Sequence, residues 1–353
     1  MKVLALTRYG AMGASSRLRI AQYVPLLRDV GMSVTVAPLL RDEYLVRLNA
    51  GLGPDWWAIL ADYLARLRLL FTVRQFDLVW IEKELYPGLP AWIEWLLSCT
   101  GIKYVVDYDD AIFHQYDLSA HLLKKILRYK IDCVMRNATT VICGNRYLAK
   151  RAQASGARNV VIIPTVVDLQ RYVLRDAVSA EQCIIGWIGS PTTSKYLDIA
   201  APALQALAKE FPIKLVVIGA KYELIGVQVE CLRWSEQTEV DQISKFDIGI
   251  MPLLDSPWEQ GKCGYKLIQY MACSRAVVAS PIGVNVELVT NNHNGYLAST
   301  SAEWTAALRR LIEDPEARRC LGQAGSLLVR ERYNLQKEVV FLAATLRDAK
   351  DAA

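Results

Sequence analysis

Between Phe246 and Asn285 the chain reads FDIGIMPLLDSPWEQGKCGYKLIQYMACSRAVVASPIGVN, and it gathers the residue types that hold a phosphate. Asp247 opens an apolar run, Ile248 to Pro252; a polar loop with Gly261, Lys262 and Gly264 follows, and an apolar-periodic segment starts at Tyr265. That order predicts strand, glycine-containing loop and helix. Amide N–H groups at a helix start lack intrahelical partners and carry partial positive charge, so an anion is stable there. Lys262 and Lys266, four residues apart, flank the predicted helix start, where they either neutralise a diphosphate or stay solvated on a turn. Ala276 to Ser280 is a second short apolar run, closed by Pro281 and Gly283.

The second concentration of reactive types is acidic. Tyr104 to Val106 predicts a strand ending in Asp107, Tyr108, Asp109 and Asp110, with His114 four residues beyond. Crowded carboxylates repel one another, which points to a basic partner, a cluster of sugar hydroxyls, or a raised pKa suited to taking a proton. Asp107, Asp109, Asp110 and His114 are therefore the catalytic candidates. The competing reading is structural: one aspartate caps the next helix, another pairs with an arginine, and His114 packs. Glu82, Lys83 and Glu84 follow a predicted strand at Asp77 to Ile81, and carboxyl ends of parallel strands are where open α/β sheets take ligands.

The elements that must position these groups begin at Val3 to Thr7, a buried strand. A turn from Gly10 to Ala14 leads into a helix near Ser15 or Ser16, and Val34 to Ala37 is the next strand. This is a parallel βαβ unit. The Gly10–Gly13 spacing, with Pro38 where a ribose-binding acid belongs, argues against a nicotinamide site. Arg17 and Arg19 are either cations of a binding cleft or surface charges on an amphipathic helix. Further strands are expected at Val141 to Cys143, Val160 to Ile163, Ile184 to Gly189 and Leu215 to Gly219, with a helix from Tyr196 to Glu210. Asp55 to Phe71 is helical, with Trp56, Trp57, Leu60, Leu64 and Leu67 on an apolar arc beside Arg66, Arg68 and Arg74; it either docks at a lipid interface or faces the core.

Composition bounds the function. The 353 residues suffice for two domains, and 53% hydrophobic with 22% charged residues describes a globular protein. A net charge of +5 suits anionic nucleotides or an anionic membrane surface, without the clustered basic and aromatic pattern of a nucleic-acid module. Eight scattered cysteines without a Cys-x-x-Cys pair, and three histidines, argue against zinc and disulfides and fit a reducing compartment. The apolar run before Arg8 is too short for a signal peptide, and no membrane-spanning stretch occurs, so a cytoplasmic location is expected.

The text from Gln269 through Tyr270, Met271, Ala272, Cys273, Ser274 and Arg275 to Ala279 resembles the donor-binding signature of retaining glycosyltransferases of the GT-B type, family 4. Gln269 stands at the signature's second glutamate, Ser274 at its glycine, and Gly261 at its first glutamate. Pro164 to Asp168 is similar to the family's interdomain Pro-Asn-Gly-Val-Asp, and Gly189 with Lys195 six later matches a phosphate-binding loop whose arginine is here Ser190. The resemblance implies an α/β protein of two Rossmann-like domains facing each other across a cleft. The first is 1–168 and the second 169–334, with a hinge between Pro164 and Glu181 and a last helix, 335–353, returning to the first domain. It implies that Gly189, Ser190, Lys195, Trp234, Lys262, Gly264, Tyr265, Lys266 and Gln269 bind the donor, Trp234 by stacking on a base or else by filling core. Gly13, Arg17, Arg19 and Glu82 face the acceptor. The expected activity is metal-independent, cofactor-free transfer of a sugar from a nucleotide-diphosphate sugar to a saccharide or lipid-linked acceptor, with no nucleic-acid partner and with peripheral contact to an anionic membrane. The alternatives are a catalytically inactive nucleotide-sugar-binding scaffold and a nucleotide-sugar epimerase on the same fold.

Overall fold

Short apolar runs in the first half of the chain form six strands: β1 Lys2–Tyr9, β2 Ser33–Leu40, β3 Leu78–Glu82, β4 Tyr104–Tyr108, β5 Thr140–Cys143 and β6 Val160–Ile162. They pair in the order β2-β1-β3-β4-β5-β6, all parallel. Parallel strands are covered on both faces, and accordingly Val3 to Thr7 and the whole of β3, β4 and β5 are buried. The second half repeats the plan with β7 Cys183–Ile188, β8 Ile213–Ile218, β9 Gln228–Leu232, β10 Ile248–Met251, β11 Ala276–Ala279 and β12 Tyr296–Leu297, ordered β12-β11-β10-β7-β8-β9. The computed structural model describes residues 1–172 and 182–352.

Two compact units result, both α/β: one of Met1–Thr165, Gly261–Cys263 and Leu335–Ala353, the other of Val166–Gln260 and Gly264–Asn334. The chain thus changes unit at Thr165, and the part of the expected hinge from 173 to 181 lies outside the described residues. The last helix, Leu335–Asp351, belongs to the first unit, where Lys103 Nζ donates to the carbonyl of Lys350 at 2.8 Å and Arg347 to that of Val30 at 2.9 Å. Each sheet reverses its strand order once, between β1 and β3 and between β7 and β10. Ligands of open parallel sheets bind outside the carboxyl ends at such reversals. The turns after β1, β3, β7 and β10 are therefore the places to look.

Several local expectations change. In place of one helix from Tyr196 to Glu210 the chain makes a 3-10 turn, Ser194–Ile199, and a helix, Ala201–Leu207. Pro202 explains the break, because proline fits only the first turn of an α-helix. β9 lies at a sheet edge with no residue fully buried, which hides it from a search for apolar runs. Arg17 and Arg19 are not surface charges: the helix Ala14–Arg19 buries both.

The core-facing reading of the Trp56–Leu70 helix is also overturned. Trp56 is 72% and Trp57 82% exposed, and Leu60, Leu64 and Leu67 are exposed too. The residue this helix buries is Arg66, which donates 2.8 Å hydrogen bonds to the carbonyls of Thr7 and Ala37. Pro38 in β2 brings no N–H to the ladder, and Arg66 supplies donors at the same place. Burial pushes its guanidinium down to about 10.

Candidate active site

At the carboxyl ends of the first sheet, charge is already matched with charge. Asp107 and Glu82 are register partners on β4 and β3, and both are buried. Arg19 Nε reaches Asp107 Oδ1 at 2.8 Å, and its NH1 donates to Thr165 Oγ1 at 3.3 Å. Burial opposes the Arg19 charge, but Asp107 outweighs it and holds the guanidinium above its ordinary value. Glu82 accepts from the backbone N–H of Arg8 at 2.8 Å and from Ser16 Oγ at 2.6 Å, which anchors the turn after β1. Gly13 opens the following helix, and Arg17 reaches back to the carbonyl of Ala11 at 3.3 Å.

Lys83, directly after β3, has φ +65°, a left-handed conformation uncommon for a residue with a side chain. Its buried ammonium lies 2.8 Å from Asp109, 4.0 Å from Asp110 and 2.9 Å from Ser15 Oγ. Burial works against this charge, while Asp109, Asp110 and Glu82 raise the Lys83 pKa; Asp109 is correspondingly held low, its own burial offset by Lys83 and Ser15. Asp110 is the most exposed of the three aspartates, its side chain 31% accessible against 15% for Asp109 and 2% for Asp107. Lys262, expected on the donor side, groups with the first unit, its Nζ 4.0 Å from Asp110. Asn145 donates to the carbonyls of Gly261 and Lys262, and Ala111 lies where a Cβ of Gly261 would stand. His114 has both ring nitrogens engaged at 2.8 Å, with Asp117 and with Tyr147.

The second sheet presents a different mouth. β7 ends in Trp187 and Ile188, and Gly189 continues the ladder by donating to the carbonyl of Ile218. The Trp187 ring occupies the space a Cβ on Gly189 would need, and the Lys266 ammonium lies 5.7 Å from its centroid. Trp187 thus brings Gly189 and Lys266 to one spot. Lys195 is exposed, 5.6 Å from the Tyr196 ring, and Ser190 closes a hydroxyl turn with Thr192 and Thr193.

Gly264 caps the Tyr265–Ala272 helix at φ +67°, with Leu288 and Val284 where its side chain would be, so only glycine fits. Tyr265 begins that helix half-buried, and Gln269 is buried, donating to Tyr172 at 3.3 Å. Trp234, half-buried, packs against the core of this unit and donates its indole N–H to Glu239 at 2.8 Å.

Residues 182–314 match the family model described as glycosyl transferases group 1. This stretch is similar to the glycosyltransferase domains of that group. It contains the second sheet from β7 to β12 and every donor-side residue discussed, including Lys262. An uncharacterized glycosyltransferase of Methanocaldococcus jannaschii is 30% identical over 88 residues, which span 24% of this chain and 22% of that relative's length. Over the whole chain the GT-B fold is shared with sucrose-phosphate synthase from Thermosynechococcus elongatus (TM-score 0.75, 15% identity, 100% of both chains). It is shared also with HepE of Anabaena in complex with UDP (TM-score 0.70, 18% identity, 99% of this chain and 100% of that one), and HepE has been solved with UDP-glucose as well.

Beside these residues the structure places others that sequence patterns passed over. Trp187 is one; the signal available was a large aromatic one residue before the strand's end. A buried carboxylate, Glu259, accepts from Tyr196 and Ser256. In the first unit Arg8 lies 5.5 Å from the Tyr9 ring centroid and 3.8 Å from Glu84, Tyr9 stacks with Tyr44 at 6.1 Å, and Tyr63 meets Tyr86 at 5.3 Å. Glu84 is buried against Lys130 at 2.5 Å and Tyr116 at 2.8 Å. Apart from Glu84, no sequence signal pointed to this cluster, because its members come from six separate segments of the chain.

Proposed function

We propose that the protein transfers a sugar, with retention of configuration, from a nucleotide-diphosphate sugar held by the second unit to a hydroxyl of a saccharide or lipid-linked acceptor held by the first. The observation that carries this reading is the convergence of Gly189, Lys266 and the Gly264-capped helix start at the strand-order reversal of a group 1 glycosyltransferase domain. In this reading helix-start amides, Lys266 and Lys195 take up the charge of the leaving diphosphate, and fixed donors of this kind stabilise developing charge without reorganising. No metal or cofactor is called on. Asp110, the most exposed aspartate of the acidic cluster, orients the acceptor hydroxyl or takes its proton, while Asp107 and Asp109 hold the cations that shape its surroundings. In this reading the reaction takes place at the cytoplasmic face of an anionic membrane, which the exposed Trp56 and Trp57 and the net positive charge support.

A panel of nucleotide sugars, with UDP-glucose first, tests this by thermal shift, followed by assay of nucleotide diphosphate release with and without lipid extract. Acceptor-dependent release is expected. Binding without any turnover means a scaffold, and conversion of the donor without acceptor means an epimerase.

A further inference from the structure

Exposed apolar side chains of the first unit do not stop at the Trp56–Leu70 helix. On the helix Trp92–Cys99, Trp92 is 73% exposed, and Trp95 and Leu96 are exposed beside it. On the segment containing the short helix Leu122–Ile126, Leu122, Ile126 and Tyr129 are exposed. The two elements share a hollow of about 240 Å³ walled by Pro90, Trp92, Trp95, Ile126 and Tyr129.

The turn between β3 and the Trp92 helix joins this surface to the Trp56–Leu70 helix. Tyr63 donates to the carbonyl of Pro87 at 2.8 Å and packs on Tyr86, and the carbonyl of Tyr86 accepts from Lys130 at 2.5 Å. Leu89, on the same turn, is exposed. From Leu118 to Ile131 the chain carries Lys124, Lys125, Arg128 and Lys130 and no aspartate or glutamate. Lys124, Lys125 and Arg128 are exposed, and the Arg128 guanidinium lies over the Tyr129 ring at 4.5 Å. Tryptophan and tyrosine prefer the headgroup level of a bilayer, and basic residues among them meet the negative surface.

We propose that the Trp92–Cys99 helix and the Leu122–Tyr129 segment form a second bilayer-inserting site, continuous with the Trp56–Leu70 helix, that lays the first unit on an anionic lipid surface. The proposal rests on the membrane reading given above and names its contact. Its basic, acid-free stretch selects a negatively charged bilayer over a neutral apolar partner. Two separated anchors fix orientation as well as attachment, since one helix leaves the unit free to rotate about its own axis.

The test uses the full chain and vesicles of phosphatidylcholine with or without phosphatidylglycerol, read by co-sedimentation at low and high salt, with UDP binding measured in parallel. Wild-type protein is expected to bind the anionic vesicles only, more weakly at high salt. Trp92→Ser with Trp95→Ser, and separately Lys124→Ala with Lys125→Ala, should each weaken partitioning about tenfold while UDP affinity holds. Because the four side chains are exposed, folding is expected to survive, and the UDP measurement verifies it. If both double variants partition like wild type while Trp56→Ser with Trp57→Ser does not, the second anchor is wrong and the membrane reading stands. Absence of vesicle binding by the wild type overturns both. Loss of self-association in the Trp92/Trp95 variant by analytical ultracentrifugation, with vesicle binding intact, makes the face a contact between copies and also overturns the proposal.

Discussion

The two units use one architecture and equip it differently. Around the strand-order reversal of the first sheet Arg19 is matched to Asp107, Lys83 to Asp109 and Asp110, and Lys130 to Glu84. At the reversal of the second, Lys195 and Lys266 lie against the rings of Tyr196 and Trp187. A mouth whose charges are balanced in advance suits a neutral, hydroxyl-rich ligand; one that presents cations on aromatic walls suits phosphate. The surfaces differ as well. Among the described residues the second unit exposes Ile225, Leu254, Val286 and Leu327 as scattered large apolar side chains, which need no explanation, whereas the first exposes a connected field from Trp56 to Tyr129.

The comparison breaks most visibly at Asp107. Asp107→Asn leaves Arg19 charged and buried, so stability should fall by about 3 to 5 kcal/mol in denaturant unfolding, with UDP affinity of the folded protein unchanged. An unaltered midpoint would mean that the first mouth is not built on its ion pairs. Asp109→Asn should cost about 3 kcal/mol at neutral pH, and the cost is pH-dependent in a defined direction. Because the folded pKa of Asp109 is depressed, its stabilisation is present above the unfolded value of 3.8 and is lost as pH falls through the lower folded value. Melting curves of variant and wild type should therefore converge below pH 3.8.

Asp110→Asn separates chemistry from structure: about a hundredfold loss of kcat is expected, with the melting temperature kept. A drop in stability without one in turnover would return Asp110 to the same class as its neighbours. On the other side, Lys266→Ala and Lys195→Ala should each weaken nucleotide binding by about 1 to 3 kcal/mol by calorimetry and leave the first unit's ion pairs untouched. The smallest effect is expected at Ser274, which holds φ +55°, so that Ser274→Gly should raise stability by about 1 kcal/mol in thermal unfolding.

Ser274 also shows how far the sequence could be read. The position resembles one where the family has glycine, and the backbone keeps the glycine conformation although the side chain has changed. Strand positions were legible because fully buried parallel strands are unbroken apolar runs, as in β1, β10 and β11. The half-exposed edge strand β9 had no such run. The crowding at Asp107, Asp109 and Asp110 pointed to a basic partner, sugar hydroxyls or a raised pKa, and the structure supplies basic partners in Arg19 and Lys83. What sequence spacing could not show is which carboxylate keeps access to solvent, because that depends on arginine and lysine side chains arriving from other strands. Arg66 is the clearest case: on a helix whose apolar arc suited either a lipid interface or a core, the guanidinium is what goes inside.

The last helix carries a consequence for the order in which the protein can be made. The first unit draws on Met1–Thr165, on Gly261–Cys263 and on Leu335–Ala353, whereas the second is complete once Asn334 has been synthesised. During translation, domains fold as their residues emerge, the earliest first. Here the half that begins first finishes last: its sheet waits for the Leu335–Asp351 helix, which emerges after all of the second unit's strands. A ribosome that stops a helix short releases a finished second unit tethered to an unfinished first one.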